Sequence, residues 1–349
     1  MTVDYIIVGQ GLAGTVMARQ LMRNGDSVFV FDRYGKDISS RVAGGIFNPI
    51  TGRKMVRTWL ADELFGYLFP FYEELEKELA ASFFHPKPIY RPFVSVEEYN
   101  EWTGKCSEPK FAAYVRELVK PGTPKIGMDN VYGGLLLDRC GYVDIGEMLD
   151  VFRKYLEAEV RFSPETFEED KLEITEDGVT YGDVSARKII YCDGYASKNS
   201  RYFGYLPFRP VKGELLEIKL AGEIAVEEIY NRGVFMLPVG DGTYRVGATY
   251  DWKNLDTAPT EEKRTELAGK LEKLINCPFE IIGQRAGVRP ATHDRRPFVG
   301  LHPEYPQLAV FNGLGTKGVS LAPYFAEEFA GFLSGKNDIT PEVDIKRLK

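Results

Sequence analysis

The hydrophobic pattern at the start of the chain changes period twice. Residues 5–8 are a short, uninterrupted apolar run of the kind buried on both faces in a parallel sheet. From residue 12 to 24 the spacing becomes helical, with Ala13, Met17 and Leu21 on one face and Gly25 placed to stop it. A second apolar run, 27–31, ends on Asp32, so the first 35 residues predict one βαβ unit. Residues 59–81 predict a helix broken or kinked near Pro70. Residues 85–94 alternate and carry Pro86, Pro88 and Pro92, which predicts an edge strand. The stretch 107–130 is polar and contains Pro and Gly, and its structure is left open. A helix over 143–156 and short strands follow, up to the buried run 188–192. Residues 213–285 alternate at 214–219, 233–238 and 243–249, with one helix at 260–275, which predicts a second, mostly antiparallel sheet. The tail returns to a strand at 308–311, a glycine loop and a helix from about 319 to 333. The predicted class is α/β: a Rossmann-like dinucleotide-binding domain with an inserted α+β domain on a mostly antiparallel sheet. The first would be assembled from 1–82, 140–212 and 286–349, the second from 83–139 and 213–285.

Composition narrows the function classes. The chain has 349 residues, 44% hydrophobic and 27% charged, enough for a large core and incompatible with global disorder. A formal charge of -7 argues against a general nucleic-acid binder. No two of Cys106, Cys140, Cys192 and Cys277 have CxxC spacing, and three histidines are too scattered for a metal site, so no metal is expected. No run approaches ~18 apolar residues and no leader pattern precedes the first strand, so a cytoplasmic protein without a membrane span is expected.

The strongest local motif is Gly9-Gln10-Gly11-Leu12-Ala13-Gly14, a GxGxxG after a strand and opening a helix. Its glycines allow a tight turn, approach of backbone to a pyrophosphate and close helix–strand packing, and free N–H groups at the helix start face the diphosphate. Asp32 ends the second strand 18 residues after Gly14, placed to accept from a ribose hydroxyl and to repel a 2′-phosphate. The fingerprint leaves FAD and NAD both open.

Later segments follow in a recognisable order: Ser39 to Arg53 (SSRVAGGIFNPITGR), Cys192-Asp193-Gly194, Pro210-Val211-Lys212-Gly213-Glu214, Tyr244 to Thr249 (YRVGAT), Gly287-Val288-Arg289-Pro290 and Asn312 to Gly318 (NGLGTKG). Together with the fingerprint they resemble the FAD-dependent D-amino-acid oxidase family, which includes glycine, sarcosine and D-amino-acid oxidising flavoenzymes. The resemblance implies non-covalent FAD, since no cysteine falls at the GxRP segment. It also implies oxidation of the C–N bond of a small amino acid or secondary amine by hydride transfer to the flavin, giving an imine that hydrolyses. It places Gly44, Gly45 and Ile46 near the flavin ring. Gly313, Leu314, Gly315, Thr316, Lys317 and Gly318 form the loop beside it, with Lys317 offering a positive charge. Arg33, Phe167, Cys192, Asp193 and Gly194 complete the cofactor set.

Arg289 matches the family's carboxylate-binding arginine, and a guanidinium fork suits a carboxylate through two charge-assisted hydrogen bonds. Lys317 and Arg289 are therefore the catalytic candidates, with Arg289 also counted beside the cofactor. Tyr230, Tyr244 and Tyr250 are candidates for the pocket lining, although core packing explains any one of them as well. His293 suits a structural role and Asp294 a turn. The basic stretch Asn48 to Trp59 is atypical of the well-known amino-acid oxidases and suits a specialised pocket or a solvated face.

Two other functions compete. The fold also resembles the oxidase domain that cleaves a carboxymethyl-amine on tRNA wobble uridine, with Arg41, Arg53, Lys54 and Arg57 then serving phosphates. A non-catalytic dinucleotide-binding protein is the third reading. These motifs specify neither an electron acceptor nor an oligomeric state.

Overall fold

Both apolar runs of the βαβ unit become central strands of a sheet buried on both faces. In the computed structural model, which describes residues 1–35, 38–52, 54–222 and 225–348, Thr2–Val8 lies parallel between Val28–Phe31 and Val184–Tyr191. Phe162–Ser163 extends one side, and Leu308–Asn312 pairs parallel with the end of Val184–Tyr191 on the other. Alternation along the first strand explains the double burial. From Tyr5 to Val8, Tyr5 and Ile7 enter one core cluster and Ile6 and Val8 another, which Val3 joins out of phase at the strand's start. Helices Leu12–Arg23, Ala61–Leu79, Ile145–Ala158 and Gly318–Leu333 cover the first face. The antiparallel hairpin Leu172–Ile174 and Val179–Tyr181 helps cover the second.

The strand-rich segment forms an eight-stranded sheet. Its order is Phe279–Arg289, Val211–Leu220, Thr243–Gly247, Val234–Gly240, Ile229–Arg232, Ile89–Pro92, Gly134–Leu137, Val115–Val119. All pairs are antiparallel except Ile229–Arg232 with Ile89–Pro92. One face packs under helix Glu261–Leu271, with Leu216, Met236, Val246, Leu267 and Leu271 buried together. The other face turns toward the parallel sheet. This is an α/β architecture: a Rossmann-like parallel sheet joined to an inserted, mostly antiparallel sheet.

Two local expectations are corrected. Residues 85–94 are not one edge strand. Phe84–Pro86 edges a small three-stranded sheet, whereas Ile89–Pro92 has a neighbour on each side in the large one. The prolines tolerate this because Pro88 precedes the paired stretch and Pro92 closes it opposite Gly134. Helix Ala61–Leu79 runs through Pro70 unbroken. The carbonyl that Pro70 leaves without a donor belongs to Gly66, and both residues are exposed, so water can serve it. The stretch left open, 107–130, supplies a short helix, Pro109–Ala112, and the strand Val115–Val119. Among the described residues no helix is long and apolar enough to cross a membrane.

Candidate functional site

The C-terminal ends of the parallel strands, where open α/β sheets bind ligands, open into a cavity of about 1860 Å³. Pockets for drug-sized ligands are roughly 300–1,000 Å³, so this one is large enough for an extended dinucleotide. Gly9, Gly11, Leu12 and Ala13 form one end of the wall, with Asp32, Arg33, Phe167, Cys192, Asp193 and Gly194 around them. Helix Leu12–Arg23 starts at Gly11 without a side-chain cap and without an acid in its first turn. Ser40 Oγ, 3.0 Å from the Leu12 amide, is the side-chain acceptor at that helix start. Gly14 stands behind the wall. A Cβ there would fall 1.8 Å from the Gly9 carbonyl oxygen, so its part is helix–strand packing.

Asp32 is held from three directions. Its Oδ1 accepts from the Gln10 amide at 3.0 Å, and its Oδ2 accepts from the Tyr34 amide and from Arg153 Nη2, each at 3.0 Å. Arg153 Nε also donates to Gln10 Oε1 at 2.9 Å, and its guanidinium lies 4.0 Å from the Tyr34 ring centroid. Across the turn, burial lifts the Asp193 carboxyl to about 7, against the hydrogen bonds it accepts from Ser197 and Asn312. Burial also raises the Cys192 thiol. Phe167 packs edge-on to Tyr191 with centroids 5.7 Å apart.

Gly44, Gly45 and Ile46 line the middle of the cavity. At Gly45, φ is +68° and a Cβ would lie 2.0 Å from the Val143 carbonyl oxygen, so both conformation and space demand glycine. A Cβ at Gly44 would meet Phe235 of the large sheet at 2.8 Å. Leu314, Gly315, Thr316, Lys317 and Gly318 close a third side, whereas Gly313 lies outside the lining and turns against Thr292 and Phe298. Lys317 caps helix Gly318–Leu333 and donates from Nζ to Thr51 Oγ1 and Thr58 Oγ1, each at 3.1 Å. Burial, with help from Arg295 and Arg296, lowers its pKa to about 8.

The large sheet supplies the opposite wall through Leu215, Phe235, Gly247 and Arg289. The Arg289 guanidinium occupies the space a Gly213 side chain would need, 2.0 Å from such a Cβ. It donates from Nη1 to the Thr249 carbonyl at 3.3 Å and lies 5.2 Å from the Tyr250 ring centroid. Among the described residues no carboxylate forms an ion pair with it, and burial lowers its pKa. A buried guanidinium on a cavity wall, with no ion-pair partner among the described residues, is electrostatically suited to an anion.

Other sequence candidates fall elsewhere. Tyr230 and Tyr244 belong to the core on the far face of the sheet, and only Tyr250 of the three lines the cavity. His293 is exposed, while Asp294 accepts from the Arg296 amide and from Thr292 Oγ1, a turn-setting role. The basic stretch divides. Asn48, Ile50, Thr51 and Gly52 line the cavity, Lys54 is exposed, Arg57 pairs with Asp62, and Arg53 lies outside the described residues. Arg41 pairs with Asp150. Sequence reasoning missed Arg153, Ser40 and Phe235. No local motif marks them, because each meets its partner only through tertiary packing. Among the described residues no group of His, Cys, Asp or Glu could hold a metal ion.

Comparison with known proteins agrees with this architecture. The family described as FAD dependent oxidoreductase (DAO) matches residues 4–331. A glycine oxidase of Pseudomonas aeruginosa is 27% identical over 136 residues, which is 38% of this chain and 37% of that protein. The tRNA 5-methylaminomethyl-2-thiouridine biosynthesis bifunctional protein MnmC of Marinobacter nauticus is 22% identical over 358 aligned positions, 94% of this chain and 55% of that one. The chain thus spans about a third to just over half the length of these curated relatives. The crystal structure of glycine oxidase from Geobacillus kaustophilus superposes with a TM-score of 0.79 at 20% identity, covering 97% of this chain and 96% of that one.

Proposed function

From the premise that this chain belongs to the FAD-dependent oxidoreductase (DAO) family, we propose that it oxidises the C–N bond of a small amino acid or secondary amine that carries a carboxylate. One observation carries the reading: Arg289 stands on the cavity wall, across from the glycine-lined face, with no carboxylate of the chain paired to it among the described residues. A substrate carboxylate would bind its guanidinium fork, and Tyr250 would keep the fork in place. The cavity residues fit FAD. The uncapped helix start at Gly11 suits a diphosphate, the clamped Asp32 suits a ribose, and Gly44 and Gly45 leave room for a flat ring. Bound FAD supplies the hydride acceptor. Arg289 orients the substrate, the large sheet excludes water, and Lys317 places a positive charge at the start of the last helix.

In this reading 1–82, 140–210 and 290–349 hold the cofactor, and 83–139 with 211–289 cover the substrate; the boundaries drawn at 212/213 and 285/286 from the sequence shift because strands Val211–Leu220 and Phe279–Arg289 belong whole to the large sheet. Four free cysteines support a reducing, cytoplasmic setting. The test follows flavin absorbance near ~450 nm without oxygen, while glycine, N-methyl amino acids, D-amino acids and proline are added, because the cofactor carries the redox chemistry. Bleaching by one class is expected. A yellow protein that stays oxidised throughout the panel would overturn the reading.

The alignment to the tRNA-modifying protein over 94% of this chain favours a second substrate, a carboxymethyl-amine on tRNA. The ion pairs of Arg41 with Asp150 and of Arg57 with Asp62 weaken the phosphate contacts that reading needs. A salt-sensitive mobility shift with tRNA would support it.

A further inference from the structure

Just past strand Thr243–Gly247 the chain touches the sheet once more. The Asp251 amide donates to the Lys212 carbonyl at 2.9 Å, and the Asp251 carbonyl accepts from the Lys212 amide at 2.8 Å, an antiparallel bridge beyond the end of the strand. Extended backbone turns successive side chains to opposite sides, so Tyr250 and Trp252 share a side and Asp251 takes the other. The two rings lie 5.9 Å apart between centroids and 22° from parallel, an offset stack. Tyr250 lines the cavity and stands 5.2 Å from the Arg289 guanidinium. Two short steps therefore lead from the carboxylate-binding arginine to the indole.

The loop that carries these rings is fastened. Asp251 Oδ1 accepts from the Lys253 amide at 2.8 Å and the Asn254 amide at 3.2 Å, and its Oδ2 accepts from Asn254 Nδ2 at 2.9 Å. Buried Lys212 donates from Nζ to Asp256 Oδ1 at 2.6 Å and to the Ala258 carbonyl. Even so, Tyr250 is 51% and Trp252 57% exposed, and neither belongs to a core cluster. Two large rings held in solvent contribute little to the fold, because most of their apolar area stays in water. At the edge of a cavity the same arrangement is a ready surface for a flat group. Stacking there removes apolar area from water without the entropy cost of ordering the loop.

We propose that the substrate carries a planar aromatic ring, which packs against Tyr250 and Trp252 while its carboxylate is bound at Arg289. This rests on the carboxylate reading of Arg289 above and adds the nature of the substrate's side arm. Trp252 is then a specificity-determining residue. It separates ring-bearing amines from bare amino acids, which engage Arg289 alone.

The test measures calorimetric binding to the FAD-loaded protein, using alkoxyacetates, which keep the carboxylate and lack an oxidisable amine. Phenoxy-, benzyloxy- and phenethoxyacetate present a ring at increasing reach. Each is compared with its cyclohexyl counterpart, which has similar bulk and no π face, and methoxyacetate is the ringless reference in every protein. At the best reach the aromatic ether is expected to bind about three- to tenfold tighter than its cyclohexyl counterpart. That advantage should vanish in Trp252→Leu and in Trp252→Ala and persist in Trp252→Phe. An advantage that survives Trp252→Ala, or none at any reach while methoxyacetate still binds, overturns this proposal and leaves the carboxylate reading standing. If no alkoxyacetate binds, the carboxylate reading falls and takes this one with it.

Discussion

The Arg289 guanidinium is held on the cavity wall by the Thr249 carbonyl and the Tyr250 ring. Its GxRP context pointed to carboxylate binding, but nothing local showed that Gly213, on the neighbouring strand, vacates the space its guanidinium fills. Hydrogen bonds to charged groups contribute roughly 1.5–3 kcal/mol, so Arg289→Gln should weaken methoxyacetate binding by about ten- to a hundredfold. A titration that finds unchanged affinity would remove Arg289 from the site. Lys317 makes a prediction with a definite sign. Its pKa of about 8 lies below the usual 10.5, so between those values the unfolded chain binds a proton that the folded chain does not. Stability of the FAD-free protein therefore rises with pH across that window, relative to Lys317→Met. Melting temperatures of the pair at about pH 8 and about pH 10 should diverge in favour of the wild type, and parallel curves would exclude a depressed lysine.

At the scale of elements, the fingerprint turn joins two jobs that the motif does not separate. Gly14 packs the helix onto the strand, and a Cβ there would meet backbone. Gly14→Ala should cost about 1–3 kcal/mol of folding stability, seen as a lower melting temperature with or without FAD. Among the described residues a Cβ at Gly11 would meet Ser40 Oγ alone, at 3.1 Å, the end of a short side chain that would give up its bond from the Leu12 amide to move. Gly11→Ala should fold normally and lose FAD affinity, because it narrows the helix start. Equal losses of stability in the two variants would refute this division. The clamp on Asp32 was not legible, since Arg153 sits on helix Ile145–Ala158, 121 residues away, and no spacing rule links the two. Arg153→Met should remove the one charged partner of Asp32 among the described residues, leaving the Gln10 and Tyr34 amides, and weaken FAD binding several-fold, measured by fluorescence quenching of the free cofactor. The strand at Ile89–Pro92 was misjudged for a related reason. Proline content speaks to the donors a strand lacks, whereas its neighbours are decided by the whole sheet.

Across the molecule, alternation and period were enough to identify a parallel sheet, a later antiparallel sheet and the return of the chain to the first. How the two sheets close on each other was not, because closure is made by single contacts between distant segments. Gly44 lies against Phe235, and Gly287 against Ser39 and Val42. The cavity is walled by both sheets, so a cofactor within it touches both halves and should couple them. A ligand at a hundred times its Kd adds about 2.7 kcal/mol to folding. If FAD contacts both halves, that gain should appear as one cooperative calorimetric transition moved upward as a whole. Phe235→Ala removes the ring that meets Gly44 and should reduce the shift while leaving the parallel-sheet half folded. A protein in which FAD raises one transition and leaves a second where it was would show that the cofactor belongs to one sheet alone, and Arg289 would then have to meet its carboxylate without help from the glycine-lined wall.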